Sequence, residues 1–390
     1  MSMPAGPQRF FDVPISHGGA LPDGVSCELL ALEAQDGTRL SASLYLRSTM
    51  RPATALLFTH PAADFLQHYA LGPLAGMGFA AIGVNTRYAG NESALLMENA
   101  ALDLGAAVGY ARQRFEHVVL VGNSGGGALS CFYQRQAEAP SVTSTPAGDP
   151  PDLTRAGLVP ADALILLNAH PGRAHALVDW LDPSVVDERD AFAVDTGLDM
   201  FDARNGPPYA PEFVVRYRSA QLERNRRITS WVWARLAELE ERGNQGTDLA
   251  FVVYRTAADP RFLDLGLDSS ERAVGTYWGD ARAANYQAAG FGRFTTLRCW
   301  LSQWGIDTSQ ALADRNLAEC GVPLLMIQGT ADQGVFNSDV QRVYDAATMP
   351  DRQIQWLKGA NHFFVGQPQL ASEMYGRVAD WLEEREMGAR

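Results

Sequence analysis

Residues His117 to Arg135 read HVVLVGNSGGGALSCFYQR, and no other run limits the possible folds so strongly. The segment Val118 to Val121 is continuously apolar, which suits a strand covered on both faces, whereas a strand with one wet face would alternate. It passes at once into Gly122-Asn123-Ser124-Gly125-Gly126-Gly127 and then into a helical pattern. A serine among glycines where strand meets helix implies a very sharp turn, because only neighbours without a Cβ escape the crowding. Such a turn lifts the serine hydroxyl above the sheet. It also leaves the Gly125 N–H, at the helix start, free to bond a developing oxyanion. The run matches G-x-S-x-G in the strand-turn-helix setting that the motif requires, so Ser124 is the expected nucleophile.

Similar apolar runs recur on both sides of it. VSCELLALEA, Asp36-Gly37 as a hairpin turn, RLSASLYL, TALLFTH, FAAIGVNTR and ADALILLNAH come early, and GVPLLMIQGTAD and QIQWLKGANHFF come late. Helical patterns such as MENAALDLGAAVGYARQRF and the closing QLASEMYGRVADWLEERE lie between and after them. Strand and helix in alternation predict a mostly parallel sheet with helices on both faces. From Pro171 to Cys320 the strand rhythm is lost. EFVVRYRSAQLERNRRITSWVWARLAELEERG and ARAANYQAAGFGRFTTLRCWLSQWG read there as helices, so a mainly helical insertion is expected over residues 171–320, within a sheet domain of residues 1–170 and 321–390. The Pro- and Ser-rich stretch Ala139 to Pro160 reads as a loop.

A serine hydroxyl is a poor nucleophile until a base, itself oriented by a carboxylate, takes its proton. Asp332 stands directly after the strand PLLMIQG and His362 after the strand QIQWL, so both sit at strand ends downstream of Ser124. The order Ser, Asp, His differs from that of the two main serine-protease folds. Asp332 also suits a turn or helix cap, but no comparable acid follows ALILLNAH, and this favours the catalytic role.

On these residues the sequence resembles the α/β-hydrolase superfamily over roughly Val25 to His170 and Gly321 to Glu386. The resemblance implies a mostly parallel eight-stranded sheet flanked by helices, with a helical cap inserted after strand 6. It also implies a second oxyanion donor in the loop after the third strand. Here that loop is His60-Pro61-Ala62-Ala63, which carries the role to the Ala62 N–H, while Pro61 in place of glycine leaves Ala63 open as the alternative. Val84 to Ser93, VNTRYAGNES, matches a family segment in which Arg87 is structural. His60, Ala63, Asn123 and His170 are the expected pocket residues, with His60 shaping the oxyanion loop. The implied activity is cleavage of a carboxylic ester of a small to medium, largely apolar acyl substrate through an acyl-enzyme. C–C, lactone, amide and thioester hydrolysis and acyl transfer remain open with the same three residues. Serine at the elbow excludes the dehalogenase and epoxide-hydrolase chemistries, which need aspartate there.

No cofactor is implied. His170 and His175 invite a metal reading, but no carboxylate or cysteine completes a set at familiar spacing, so none is expected. The four cysteines are scattered and read as buried thiols. Tyr277, Trp278, Trp300 and Trp304 are expected to form the core of the insertion, and the arginines at 216, 218, 224, 226 and 227 a solvated helix face paired with acids. With 32 basic against 45 acidic residues the net charge is -13, which disfavours nucleic acid and anionic lipid as partners. No apolar run reaches the roughly 18 to 20 residues of a membrane span, and MSMPAGPQRFFDVPISHGG has no basic-then-apolar start, so the chain reads as cytoplasmic. Self-association stays open.

Overall fold

The computed structural model describes residues 20–287 and 290–389. The N-terminal segment used above to read the compartment lies outside the described residues. Eight strands make one sheet: β1 (Val25–Glu33), β2 (Arg39–Arg47), β3 (Thr54–His60), β4 (Ala80–Asn85), β5 (His117–Asn123), β6 (Ala163–Leu167), and then, after a short pair β7 (Ala250–Val252) and β8 (Phe294–Thr296) that stands apart, β9 (Leu324–Gly329) and β10 (Arg352–Leu357). Their order is β1-β2-β4-β3-β5-β6-β9-β10. β1 and β2 run antiparallel, as do β2 and β4, and every later neighbour is parallel.

The continuous apolar strands are the central ones. β3, β4, β5, β6 and β9 are buried along almost their whole length, because helices cover both faces. Alternate residues serve opposite layers. Ala55, Leu57, Leu120 and Leu164 pack with helices α2 (Met97–Arg112) and α3 (Gly125–Glu138). Leu56, Phe58, Val121 and Ile165 pack toward α1 (Leu71–Gly76) and the C-terminal helix Pro368–Glu383. Arg87, at the end of β4, clamps the β1–β2 turn to α2 by ion pairs of 2.6 Å with both Asp36 and Asp103.

Between β6 and β9 the chain leaves the sheet. This insertion holds α4 (Arg173–Trp180) and the long α5 (Pro211–Glu241), which starts on a proline at its first position, where the missing N–H costs nothing. The stretch 281–305 is not one helix. It has only short turns at Ala281–Ala284 and Leu297–Cys299 and a π-turn at Trp300–Trp304; residues 288–289 lie outside the described residues. Gly292 at φ +65 and strand β8, paired with β7, interrupt it, and neither is visible in the apolar spacing. Two further expectations are corrected. Cys27 is exposed, because β1 is an edge strand with an uncovered face, whereas the other three thiols are buried. Arg224 is not on a solvated face: it is fully buried and bonds Glu188 and the Asp182 and Tyr254 carbonyls. Three of the other helix arginines pair with acids, Arg218 with Asp259, Arg226 with Asp307 and Arg227 with Glu188, whereas Arg216 bonds the Gly197 carbonyl at 2.9 Å instead of an acid. No helix among the described residues is long and apolar enough to cross a membrane.

Glu98 on α2 joins core to insertion. Its fully buried carboxyl accepts from Ser302 Oγ at 2.7 Å and Gln310 Nε2 at 3.1 Å. Burial pushes it up from 4.5 to about 7, so the folded chain keeps this proton after the unfolded chain has lost it. Stability should therefore fall as pH rises from 4.5 to about 7 and change no further above that through this group. Glu98→Gln should remove this dependence. Relative to the parent, the variant should gain on the order of 3 kcal/mol between pH 4 and pH 8 in urea unfolding, since each tenfold difference in proton affinity between the folded and unfolded chains is worth about 1.4 kcal/mol.

Candidate active site

The elbow is as tight as its glycines suggest. Ser124 has φ +54 and ψ -122, a region costing about 1–3 kcal/mol for a residue with a side chain. A Cβ on Gly122 would lie 2.5 Å from the Gly127 Cα, one on Gly126 would overlap the Thr59 carbonyl oxygen, and one on Gly127 would lie 2.5 Å from the Ala169 Cβ. The first turn of α3 therefore presses directly on β5, β3 and the end of β6. The Ser124 N–H donates to Leu167 O at 3.0 Å, so the serine is also tied to the end of β6.

Asp332 and His362 meet at the ends of β9 and β10. His362 Nδ1 is 2.5 Å from Asp332 Oδ2, and both residues are almost fully buried. The other carboxylate oxygen of Asp332 accepts from the N–H groups of Gly334 and Val335 at 2.8 and 2.9 Å. The turn role and the imidazole-orienting geometry thus coexist in one side chain. With Nδ1–H directed at the carboxylate, Nε2 carries the lone pair, and it is buried with no hydrogen-bond partner among the described residues. Tyr277 covers the imidazole, its ring parallel within 5° at a centroid separation of 5.3 Å. Gly334 makes this possible, since a Cβ there would occupy the Tyr277 ring. Burial and the nearby Asp332 raise the Tyr277 phenol well above its ordinary value, so it stays protonated.

Asn168 links the serine and histidine loops. It stands next to Leu167, which holds the Ser124 N–H, and its own Nδ2 donates to the His362 carbonyl at 2.8 Å while its Oδ1 accepts from the Gly329 N–H at 2.7 Å. The ends of β6, β9 and β10 are joined through this one buried amide, and that of β5 through the Leu167 carbonyl beside it.

Ser124 opens on a cavity of about 760 Å³ at the C-terminal ends of the parallel strands. His60, Ala62, Ala63 and His170 also line it. Asn123 does not, and its assignment to the pocket is corrected: fully buried, it bonds Leu167 O at 2.7 Å, His68 Nε2 at 3.0 Å and the Tyr69 hydroxyl at 3.4 Å beneath the elbow. The N–H groups of Ala62 and Ala63 both donate to His60 Nδ1, at 3.1 and 2.8 Å, so in this structure the two candidate oxyanion donors turn onto a side chain. This fixes His60 as the tautomer with its proton on Nε2. Gly125 is buried beneath three nitrogen-bearing side chains: a Cβ on it would lie 2.8 Å from His60 Nε2, 3.3 Å from His170 Nε2 and 3.4 Å from Arg173 Nη1. Burial, reinforced by Arg173, holds the His60 imidazole well below its ordinary value and pushes His170 down to about 3, so both rings are neutral. His175 faces Asp314 at 3.3 Å, away from any such cluster.

Arg173, Tyr277 and Asn168 sit in no motif, and their places depend on how the insertion and the strand ends pack. Of the four aromatics expected in the core of the insertion, Trp278, Trp300 and Trp304 are buried, but Tyr277 faces the cavity. Asn168→Ala would leave the His362 carbonyl and the Gly329 N–H unpaired, at about 1–3 kcal/mol each. A loss of that size should appear as a lowered urea midpoint.

No protein-family model matches the sequence, and no curated protein matches it either. Solved structures do match in shape. The DcsB complex with its substrate analogue aligns at 13% identity over 92% of this chain and 99% of that one, with a TM-score of 0.54. The esterase domain of a Rhodothermus marinus protein aligns at 16% identity over 92% and 98%, TM-score 0.47. An alpha/beta fold family hydrolase from Bacillus anthracis aligns at 12% identity over 91% and 99%, TM-score 0.44. Identities this low speak to fold alone, and of the three only the first aligns at a TM-score above 0.5; the fold it supports is the one described above, a mostly parallel eight-stranded sheet flanked by helices with an insertion between β6 and β9.

Proposed function

We propose that this protein is a serine hydrolase that cleaves a carboxylic ester, or a related acyl bond, of a small to medium substrate. Residues 171–320 would serve as a cap over a core formed by residues 1–170 and 321–390. One observation carries the reading: a strained serine opens on a cavity of about 760 Å³ while a buried Asp332–His362 pair, tied to the same strand ends, keeps an unpartnered imidazole nitrogen. In the mechanism His362 Nε2 takes the Ser124 proton as the hydroxyl attacks the carbonyl carbon. Asp332 holds the tautomer and stabilises the imidazolium. The Gly125 N–H at the positive end of α3 supports the oxyanion; the Ala62 and Ala63 N–H groups, which donate to His60 Nδ1 in this structure, would have to turn from that ring to join it. His362 then protonates the leaving alcohol, and water, activated by the same nitrogen, releases the acid. The separation of Nε2 from a hydrogen-bond partner suits an unliganded site, where catalytic contacts tighten on substrate binding.

The cavity volume fits a ligand of modest size. Its wall is aromatic on the cap side, with Trp180, Tyr277, Phe291 and Phe294, which suits an apolar portion of the substrate. A fluorophosphonate should label the wild-type protein at Ser124 and leave Ser124→Ala unmodified, read by intact mass. Asp332→Asn should keep the fold and lower kcat on an activated ester by about 10⁴, because the wrong tautomer is then favoured. Full labelling or full turnover by Ser124→Ala would overturn the assignment.

A further inference from the structure

The polar side of the cavity holds more hydrogen-bond donors than a simple ester can use. His60 Nδ1 accepts from two backbone N–H groups and His170 Nδ1 accepts from the Gly172 N–H at 3.2 Å, so each ring turns an Nε2–H toward Gly125. Neither Nε2 has a partner among the described residues. Arg173 is 4% exposed; its Nη2 bonds Glu92, its guanidinium lies 4.6 Å from the Trp304 ring centre, and its Nη1, on the Gly125 side, has no partner among the described residues. His60, His170, Arg173 and Glu92 all line the cavity beside Ser124.

A tetrahedral oxyanion takes two donors, one of them the Gly125 N–H in the mechanism above. Of the three side-chain donors, at least two are left over. A plain alkanoyl ester would bury them unpaired. The charge at this wall is already balanced, since the Arg173 cation is paired with Glu92, and the exposed Asp64 at the cavity rim adds a further negative charge. A substrate carboxylate would face both acids. We therefore propose that the acyl group brings a second, uncharged oxygen acceptor, such as a keto oxygen, to the donor cluster of His60, His170 and Arg173. The inference rests on the acyl-hydrolase reading for its chemistry, but the subsite itself can be tested without turnover.

The test compares benzyl butanoate, benzyl 3-oxobutanoate and monobenzyl succinate. Initial rates with the wild-type protein give kcat/KM, and calorimetric titration of Ser124→Ala gives binding without chemistry. The oxo ester should exceed the butanoate about tenfold or more in both measurements, the fold-change expected for one rescued donor. The succinate should fall below the oxo ester. In Arg173→Met and, separately, His170→Phe, each on the Ser124→Ala background, the binding ratio should drop toward one; two variants are used so that misfolding of either leaves the other to decide. Equal binding of butanoate and oxo ester, a ratio unchanged in both variants, stronger binding of the succinate, or no binding of the oxo ester at millimolar concentration would each overturn the proposal. If Ser124 is not labelled by a fluorophosphonate yet Ser124→Ala still prefers the oxo ester, the hydrolase reading fails and the subsite stands.

Discussion

The contact of the first turn of α3 with the sheet is the constraint on which the site depends. Gly126 packs against the Thr59 carbonyl, Gly127 against Ala169 and Gly122 against the turn itself, with no room for a Cβ at any of them. That approach forces the positive φ of Ser124 and sets this serine at the N-terminus of α3. Such strain persists only where the surroundings over-determine it. Here they do so: β3, β5 and β6 on either side are buried along almost their whole length, and Leu167 holds the Ser124 N–H.

The same economy appears in the charged groups. Long arginines from the insertion reach acids across the fold. Arg261 spans Asp259, Asp179 and, at 2.9 Å, Asp339 on the helix Asn337–Ala346 that follows β9. Asp259 is fully buried, and the two arginines beside it, Arg218 and Arg261, overcome desolvation to hold its carboxyl below the usual range. Buried pairs of this kind add little net stability, but removing one partner is costly, so they fix where the insertion sits over the sheet. The placement of Trp180, Tyr277 and Phe291 over Ser124 follows from it.

Much of this was legible in the sequence where the signal is local. Val118 to Val121 with its glycines specified the elbow, and the runs ending at Gly329 and Leu357 located the loops of Asp332 and His362. The β1–β2 hairpin followed from Asp36-Gly37, where Gly37 has φ +81. What stayed hidden is non-local. The burial of Arg224 depends on Glu188 arriving from 36 residues away. The breaks in 281–305 come from pairing with β7, which its own residues do not announce. The Ala62 N–H was a candidate oxyanion donor by position, but its direction is set by the ring of His60 two residues earlier, and no pattern of residue types encodes that rotamer. Arg173 and Tyr277 joined the site only through the folding of the insertion.

The crowding over Gly125 limits how this pocket can change. The volume that a methyl on Gly125 would take is already filled by nitrogen atoms from three separate positions: the end of β3, the loop after β6 and the start of α4. Selectivity therefore cannot be retuned by enlarging the residue next to Ser124. On the acyl-hydrolase reading, a change of substrate would fall to His60, His170 and Arg173 or to the aromatic wall of Trp180, Tyr277 and Phe291, and the elbow would stay fixed.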